Sequence, residues 1–99
     1  MIYYIDIDET ICNSPISRKY DEAVPIKKAI SKVNKLYDEG HTVIFWTARG
    51  TGSGKDWREI TEGQLKTWGI KYHKLKFGKP IYDIFIDDKN MNANDWLNE

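Results

Sequence analysis

Two short apolar segments without basic residues stand out in this chain, and each predicts a strand that is buried in a sheet. The first covers residues 2–7, with Asp6 near its end and Asp8 directly after it, and the second covers residues 42–46. A weaker β-rich run at residues 70–75 predicts a third strand, and residues 81–86 predict a fourth. The pattern therefore predicts four strands that are well separated along the chain.

Apolar residues recur at helical spacing between these strands. Pro25 suits the start of a first helix and Gly40 suits its end. A second helix is predicted over residues 56–68 and a short terminal helix over residues 93–98. Because strands alternate with helices, we expect an α/β fold in which βαβ units build a mostly parallel, doubly wound sheet. A length of 99 residues predicts a single domain, residues 1–99.

Composition narrows the classes of function. The 15 basic and 15 acidic residues give a formal net charge of zero, which argues against a general nucleic-acid or membrane-surface binder. The single cysteine, Cys12, excludes a disulfide within the chain and fits a reducing compartment. No signal peptide and no apolar run of membrane-spanning length are recognisable. We therefore expect a cytoplasmic protein without a membrane partner.

Polar side chains follow three of the four predicted strands. The carboxyl ends of parallel strands lie at one edge of a sheet, where ligands of open α/β sheets bind. Carboxylates crowded there repel each other unless a cation neutralises them, and Mg²⁺ prefers such oxygen ligands. A carboxylate can also attack phosphorus, while a lysine neutralises phosphoryl charge. The spacing predicts a Mg²⁺ and phosphate site made of Asp6, Asp8, Thr47, Lys79, Asp87 and Asp88.

This set of motifs resembles that of the haloacid dehalogenase superfamily of phosphatases. The family has aspartate-x-aspartate-x-threonine after its first strand, threonine or serine after the second, lysine before the fourth and an acidic pair after the fourth. The chain has Asp6-x-Asp8-x-Thr10, Thr47, Lys79 and Asp87-Asp88 in that order. The resemblance covers the whole chain and implies a Rossmann-like three-layer sandwich with a mostly parallel central sheet.

The resemblance also implies a role for each matching residue. Asp6 resembles the nucleophile that forms an aspartyl-phosphate, and Asp8 the general acid/base that protonates the leaving oxygen and then activates water. Thr47 and Lys79 would hold the phosphoryl group, with Ala48 and Arg49 beside them. The metal ligands would be Asp6, Asp8, Asp87 and Asp88. For Arg49, a surface position and a contact with substrate phosphate are equally compatible with the sequence.

Members of this family usually carry a cap domain, but neither gap between the motifs is long enough for one here. We expect an open site in a capless member. The Thr-Ala-Arg-Gly and Phe-Gly-Lys-Pro runs are similar to those of small phosphatases of capsular and lipopolysaccharide biosynthesis. That similarity implies a phosphorylated sugar as substrate. An open site also allows a large substrate or a second copy of the chain over it.

Two alternatives remain at this point. One is a phosphatase that acts on nucleic-acid ends or phosphoproteins, which an open site admits, although the neutral charge argues against nucleic acid. The other is a non-catalytic binding module that keeps the fold. Taken alone, Asp87-Asp88 is also compatible with a turn, and Lys79 with a solvated surface lysine. An exposed Trp57 could stack on a sugar or a base, although a core position is the simpler interpretation.

Overall fold

The computed structural model describes residues 1 to 99 and shows an α/β fold built on a three-stranded parallel sheet. The strands β1 (Ile2–Ile5), β4 (Thr42–Trp46) and β5 (Lys74–Lys76) lie in the order β1-β4-β5. A small antiparallel pair, β2 (Cys12–Asn13) and β3 (Val24–Pro25), follows β1 in the chain. Pairing is in register, with Ile5 beside Phe45 and Phe45 beside Leu75.

Three helices accompany these strands: α1 (Lys27–Asp38), α2 (Arg58–Thr67) and α3 (Ala93–Leu97), with a single 3-10 turn at Tyr20–Glu22. Both long helices end at a glycine with positive φ, Gly40 after α1 and Gly69 after α2, as their sequence positions predict. No helix has the length and apolar character needed to cross a bilayer. The predicted helices are thus confirmed, although Pro25 belongs to β3 and α1 begins two residues later.

The core lies between one face of the sheet and the two long helices. Its cluster of buried side chains includes Val43 and Phe45 from β4, Val33 from α1 and Leu65 from α2. Because connections between parallel strands are right-handed with few exceptions, the order β1-β4-β5 places both helices on the same face, in agreement with the single cluster that Val33 and Leu65 share. Alternate residues of β1 point the other way, and Tyr4 is exposed there. The structure therefore shows an α/β fold on a parallel sheet, and the finer expectation of a three-layer sandwich stays a prediction.

Residues 81–86, which we call the arm, do not form the predicted fourth strand. The reason lies in how the chain enters the arm. The backbone N–H of Lys79 donates to the carbonyl of Thr47 at 3.1 Å, which fixes Lys79 at the carboxyl edge of the sheet. A parallel strand must start at the opposite edge, and such a crossover takes about a dozen residues. Only Pro80 separates Lys79 from the arm, so that the arm leaves the sheet with its side chains exposed.

The arm and β1 both have free edges. β1 is the outermost strand on its side of the sheet, so one of its backbone edges has no partner strand. No backbone hydrogen bond involves a residue of the arm. Beyond the arm the chain returns to its own domain, where Trp96 of α3 packs against the core and Lys32 of α1 lies 5.5 Å from the centre of its ring.

Candidate functional site

Asp6 and Asp8 follow β1 at the carboxyl edge of the sheet, as predicted. The chain turns sharply after them because Glu9 takes a left-handed conformation, φ +63°, that costs a non-glycine residue about 1–2 kcal/mol. Two hydrogen bonds hold this turn. The Glu9 N–H donates to the carbonyl of Cys12 at 2.8 Å, and its carboxylate accepts from the N–H of Ser14 at 2.9 Å. The turn leaves the two aspartates with different surroundings.

Asp6 faces Lys79, whose ammonium nitrogen lies 3.4 Å from its Oδ2. Its Oδ1 accepts from the backbone N–H of Ile7 at 2.8 Å. Burial raises the pKa of the Asp6 carboxyl, and the nearby charge of Asp8 adds to the effect, while Lys79 and the Ile7 hydrogen bond oppose it. The Asp6 side chain still keeps 37% of its surface exposed, so that a ligand can reach it.

Asp8 is held by Arg49 through two parallel hydrogen bonds. Nε of Arg49 donates to Oδ2 at 3.0 Å, and a terminal nitrogen donates to Oδ1 at 2.9 Å. The hydroxyl of Ser14 also donates to Oδ1. Two-point pairing of this kind fixes the plane of the carboxylate as well as its position. Asp8 is therefore a tightly oriented side chain beside the more accessible Asp6.

Arg49 itself is buried, and all three nitrogens of its guanidinium donate hydrogen bonds. Its other terminal nitrogen donates to Thr61 Oγ1 at 3.0 Å and to Gln64 Oε1 at 2.6 Å, both on α2. The guanidinium carbon lies 4.8 Å from the ring centre of Tyr20. Neither role expected for Arg49, a surface residue or a contact with substrate phosphate, fits this environment. Its position makes it the link between α2 and Asp8.

Sequence reasoning missed the supporting residues Thr61, Gln64, Tyr20 and Ser14. One signal was present for two of them. Thr61 and Gln64 lie three residues apart on α2, on the side that also carries the buried Leu65. Polar side chains on the buried side of a helix need a polar partner, which here is Arg49. Nothing in the sequence connects Tyr20 or Ser14 with the aspartates.

Thr47 lies at the end of β4 but is completely buried. Its Oγ1 accepts from the N–H of Arg49 at 3.1 Å, and its carbonyl accepts from the N–H of Lys79. Ala48, next in the chain, is partly exposed. The structure thus makes Thr47 the residue that positions Arg49 and Lys79, while its predicted contact with a phosphoryl group would require the site to open.

Asp87 and Asp88 do not join the other two aspartates. Both are exposed and form a surface turn, in which the N–H of Lys89 donates to Asp87 Oδ1 at 2.8 Å. No three His, Cys, Asp or Glu side chains of the chain lie close enough together to hold a metal ion. Asp6 and Asp8 are each already paired with a cationic side chain. Within one chain, the predicted set of four carboxylates does not fit Mg²⁺.

A pocket of about 330 Å³ reaches Gly78, the residue before Lys79 in the chain. The glycine-rich loop after β4 forms one wall, and Trp57, Phe77 and Gly78 form the other. Trp57 is buried, with its ring centre 5.0 Å from that of Tyr20 and the Lys55 ammonium 4.1 Å from its own. Trp57 is therefore a core aromatic rather than an exposed stacking platform. The charged residues of its lining are Arg49, Lys55 and Asp56, and this excess of one cation suits an anionic ligand.

Gly50 is required where this loop leaves Arg49. Its φ is +82°, and a Cβ built there would lie 2.1 Å from the backbone carbonyl oxygen of Lys55. We expect Gly50→Ala to lower the free energy of unfolding by at least about 2 kcal/mol, measured by urea denaturation. Gly54→Ala is the matched control, since Gly54 has φ +73° but open space around it. An equal loss in both variants would contradict the role of the close contact.

Cys12 lies beneath the site and is completely buried. Burial raises the pKa of its thiol to about 12, an effect to which the charge of Asp8 contributes, although Arg49 opposes it. A thiol with so high a pKa is not an effective nucleophile near neutral pH. Its place in the hydrophobic cluster with Ile7 and Ile11 indicates a packing role.

A protein of known structure has a similar fold. No protein-family model matches the chain, and no curated protein matches it. A crystal structure of a target protein from Vibrio cholerae is similar, with a TM-score of 0.85, at 20% sequence identity, over 99% of this chain and 88% of that one. The two chains share a fold, and the similarity extends over nearly all of both.

Proposed function

We propose that this chain is a phosphatase that hydrolyses a phosphomonoester through an aspartyl-phosphate on Asp6. The observation that carries the proposal is the contact of Asp6 with Lys79 beside the oriented Asp8. The accessible carboxylate of Asp6 lies at the carboxyl edge of a parallel sheet, 3.4 Å from the ammonium group of Lys79. A second carboxylate, Asp8, follows two residues later in the chain. This is the set of groups that phosphoryl transfer to a carboxylate needs.

The proposed reaction has two steps. A carboxylate oxygen of Asp6 attacks phosphorus as the bond to the leaving oxygen breaks. Asp8 enters this step protonated and gives its proton to the leaving oxygen, which leaves Asp8 as a carboxylate. Water then attacks the phosphorus of the aspartyl-phosphate, gives its proton to Asp8 and releases phosphate, which restores the Asp6 carboxylate. Because the ionised form of Asp6 attacks and burial raises its pKa, activity falls as the pH falls through that pKa.

Lys79 and Arg49 have different tasks in this proposal. The ammonium group of Lys79 lies 3.4 Å from Asp6 Oδ2. A phosphoryl group bound at Asp6 would bring further anionic oxygens to the same place, and Lys79 can turn to them. Arg49 remains on Asp8 and keeps it aimed. Both oxygens of Asp8 accept hydrogen bonds, so one bond, such as that from Ser14, must open before Asp8 exchanges a proton.

The pocket that reaches Gly78, next to Lys79 in the chain, supports a small phosphorylated substrate. Its volume of about 330 Å³ is at the lower end of the range for small-molecule sites. With the phosphoryl group on Lys79, the alcohol part of the ester would lie along the glycine-rich loop. A sugar phosphate of surface-polysaccharide metabolism, the substrate class that the sequence resemblance implies, fits this size.

One observation favours a second candidate, a phosphate-binding module without hydrolysis. In a single chain, Asp87 and Asp88 lie away from Asp6, and Asp8 is engaged by Arg49. Such a module would bind phosphate esters at Lys79 and leave them intact. Binding and turnover therefore have to be measured side by side.

The test is phosphate release from a panel of sugar phosphates, nucleotides and phosphopeptides with Mg²⁺ present. We expect hydrolysis of sugar phosphates above the other classes, and at least a tenfold loss in Lys79→Met. Lys74→Met is the matched control, since Lys74 is an exposed lysine of β5 outside the pocket. No hydrolysis of any ester, together with saturable binding that Lys79→Met removes, would establish the binding module instead.

A further inference from the structure

The arm carries an unusual amount of apolar surface for an exposed segment. Ile81, Ile84 and Ile86 are exposed to 70%, 78% and 94%, and Tyr82 and Phe85 are also exposed. None of the six residues of the arm forms a backbone hydrogen bond. Exposed segments that are apolar, aromatic and unpaired in this way are templates for pairing with another strand.

β1 offers the matching surface. It is the outermost strand on its side, and Ile2 and Tyr4 are exposed on it. The arm of the same chain cannot add there along its length as a parallel strand, because Lys79 is tied to the carboxyl edge by Thr47. The arm of a second copy is not limited by that tie.

We infer that two copies of this chain pair by exchange, the arm of each forming a parallel strand on the free edge of β1 of the other. A register that aligns Ile86 with Ile5 also aligns Ile84 with Tyr3, on the face of the sheet that carries the core. Phe85 then lies beside Tyr4 on the opposite face. Covering ten large side chains of two arms buries on the order of 1,000 Å² or more, the size expected of a stable interface.

The same register completes the acidic site, and this part of the inference rests on the proposed function. Asp87 of the second copy comes beside Asp6, at the edge where Asp8 lies. Three carboxylates then meet where a single chain brings two, which explains why one chain alone lacks a metal-binding group. Three carboxylates at a sheet edge suit a divalent cation such as Mg²⁺. Each site would thus be built from two chains.

Sedimentation velocity tests the pairing without any activity measurement. We expect the protein at tens of micromolar to sediment at twice its chain mass of 11.6 kDa. Ile84→Asp should produce the monomer, because it places a charge on the paired strand. Ile16→Asp is the matched control and should remain a dimer, since Ile16 is fully exposed outside the arm. A monomeric wild-type protein, or a dimer that Ile84→Asp leaves intact, would overturn the exchange.

Complementation tests whether the site is shared. A chain with Asp6→Asn and a chain with Asp87→Asn are co-expressed with different affinity tags. Purification through both tags in turn isolates the mixed dimer. Exchange gives this dimer one intact site of two, so we expect half of the wild-type rate, whereas each variant alone has little or none. An inactive mixed dimer, alongside an active wild type, would overturn the shared site.

The control pairs a wild-type chain with a chain that carries both substitutions. With exchange, neither site of this dimer holds both Asp6 and Asp87, so we expect no activity. Sites complete within one chain would give half of the wild-type rate and would overturn the inference. If the wild type forms the arm-dependent dimer but hydrolyses no phosphate ester, the pairing stands and the proposed function fails.

Discussion

Asp6→Asn is expected to reduce phosphate release at least about a thousandfold, because the amide cannot form the acyl-phosphate bond. The fold should be retained. Burial already disfavours the charged form of Asp6, so a neutral side chain of the same size costs little where the carboxylate is partly buried. Activity at saturating substrate and the midpoint of thermal unfolding measure the two effects separately.

Asp95→Asn is the control for this change. It makes the same substitution at an exposed aspartate of α3, away from Lys79 and the pocket. We expect its rate to stay within twofold of the wild type. If Asp6→Asn retained a comparable rate, the attack by Asp6 would be refuted, whatever the substrate turned out to be.

Arg49→Met is expected to lower the free energy of unfolding by about 3–5 kcal/mol, the usual cost of removing one partner of a buried ion pair. The loss arises because the largely buried Asp8 side chain loses its two-point partner, and because Thr61 and Gln64 lose their shared donor. Urea denaturation followed by circular dichroism measures the change. The double variant Arg49→Met/Asp8→Asn should recover part of the loss, since it removes the unpaired charge.

Lys71→Met is the matched control. Lys71 pairs with Asp38 at 2.8 Å, but both side chains are at least half exposed, so the pair contributes less than about 1 kcal/mol. Similar losses in Arg49→Met and Lys71→Met would contradict the buried network around Asp8. A double variant no more stable than Arg49→Met would show that the packing of Arg49, rather than its charge, carries the stability.

The helices and the strands β1 and β4 were predictable because their patterns are local. Thr42–Trp46 is apolar enough to be buried on both faces, and Gly40 and Gly69 end their helices through conformations that glycine adopts at low cost. The position of Asp6 and Asp8 followed for the same reason. A buried strand that ends in two carboxylates leaves few places for them other than the edge of a sheet.

The absence of the fourth strand was not predictable, because a contact between residues distant in sequence decides whether the segment can pair with the sheet. The apolar pattern of residues 81–86 is that of a strand, but the bond between Lys79 and Thr47 fixes where the segment begins. The role of Arg49 was hidden in a similar way. Its partners lie 41 residues before it and 12 to 15 residues after it, on elements whose approach depends on the packing of α2.

The central claim is that phosphate is transferred to Asp6, and trapping the intermediate tests it most directly. The protein is mixed with substrate, quenched in acid within one turnover and reduced with borohydride, which converts an aspartyl-phosphate to homoserine. Peptide mass spectrometry then locates the changed residue. We predict homoserine at position 6 in the wild type and at most about a tenth as much in Lys79→Met. Homoserine at another aspartate, or none at all in a protein that hydrolyses the substrate, would contradict the account.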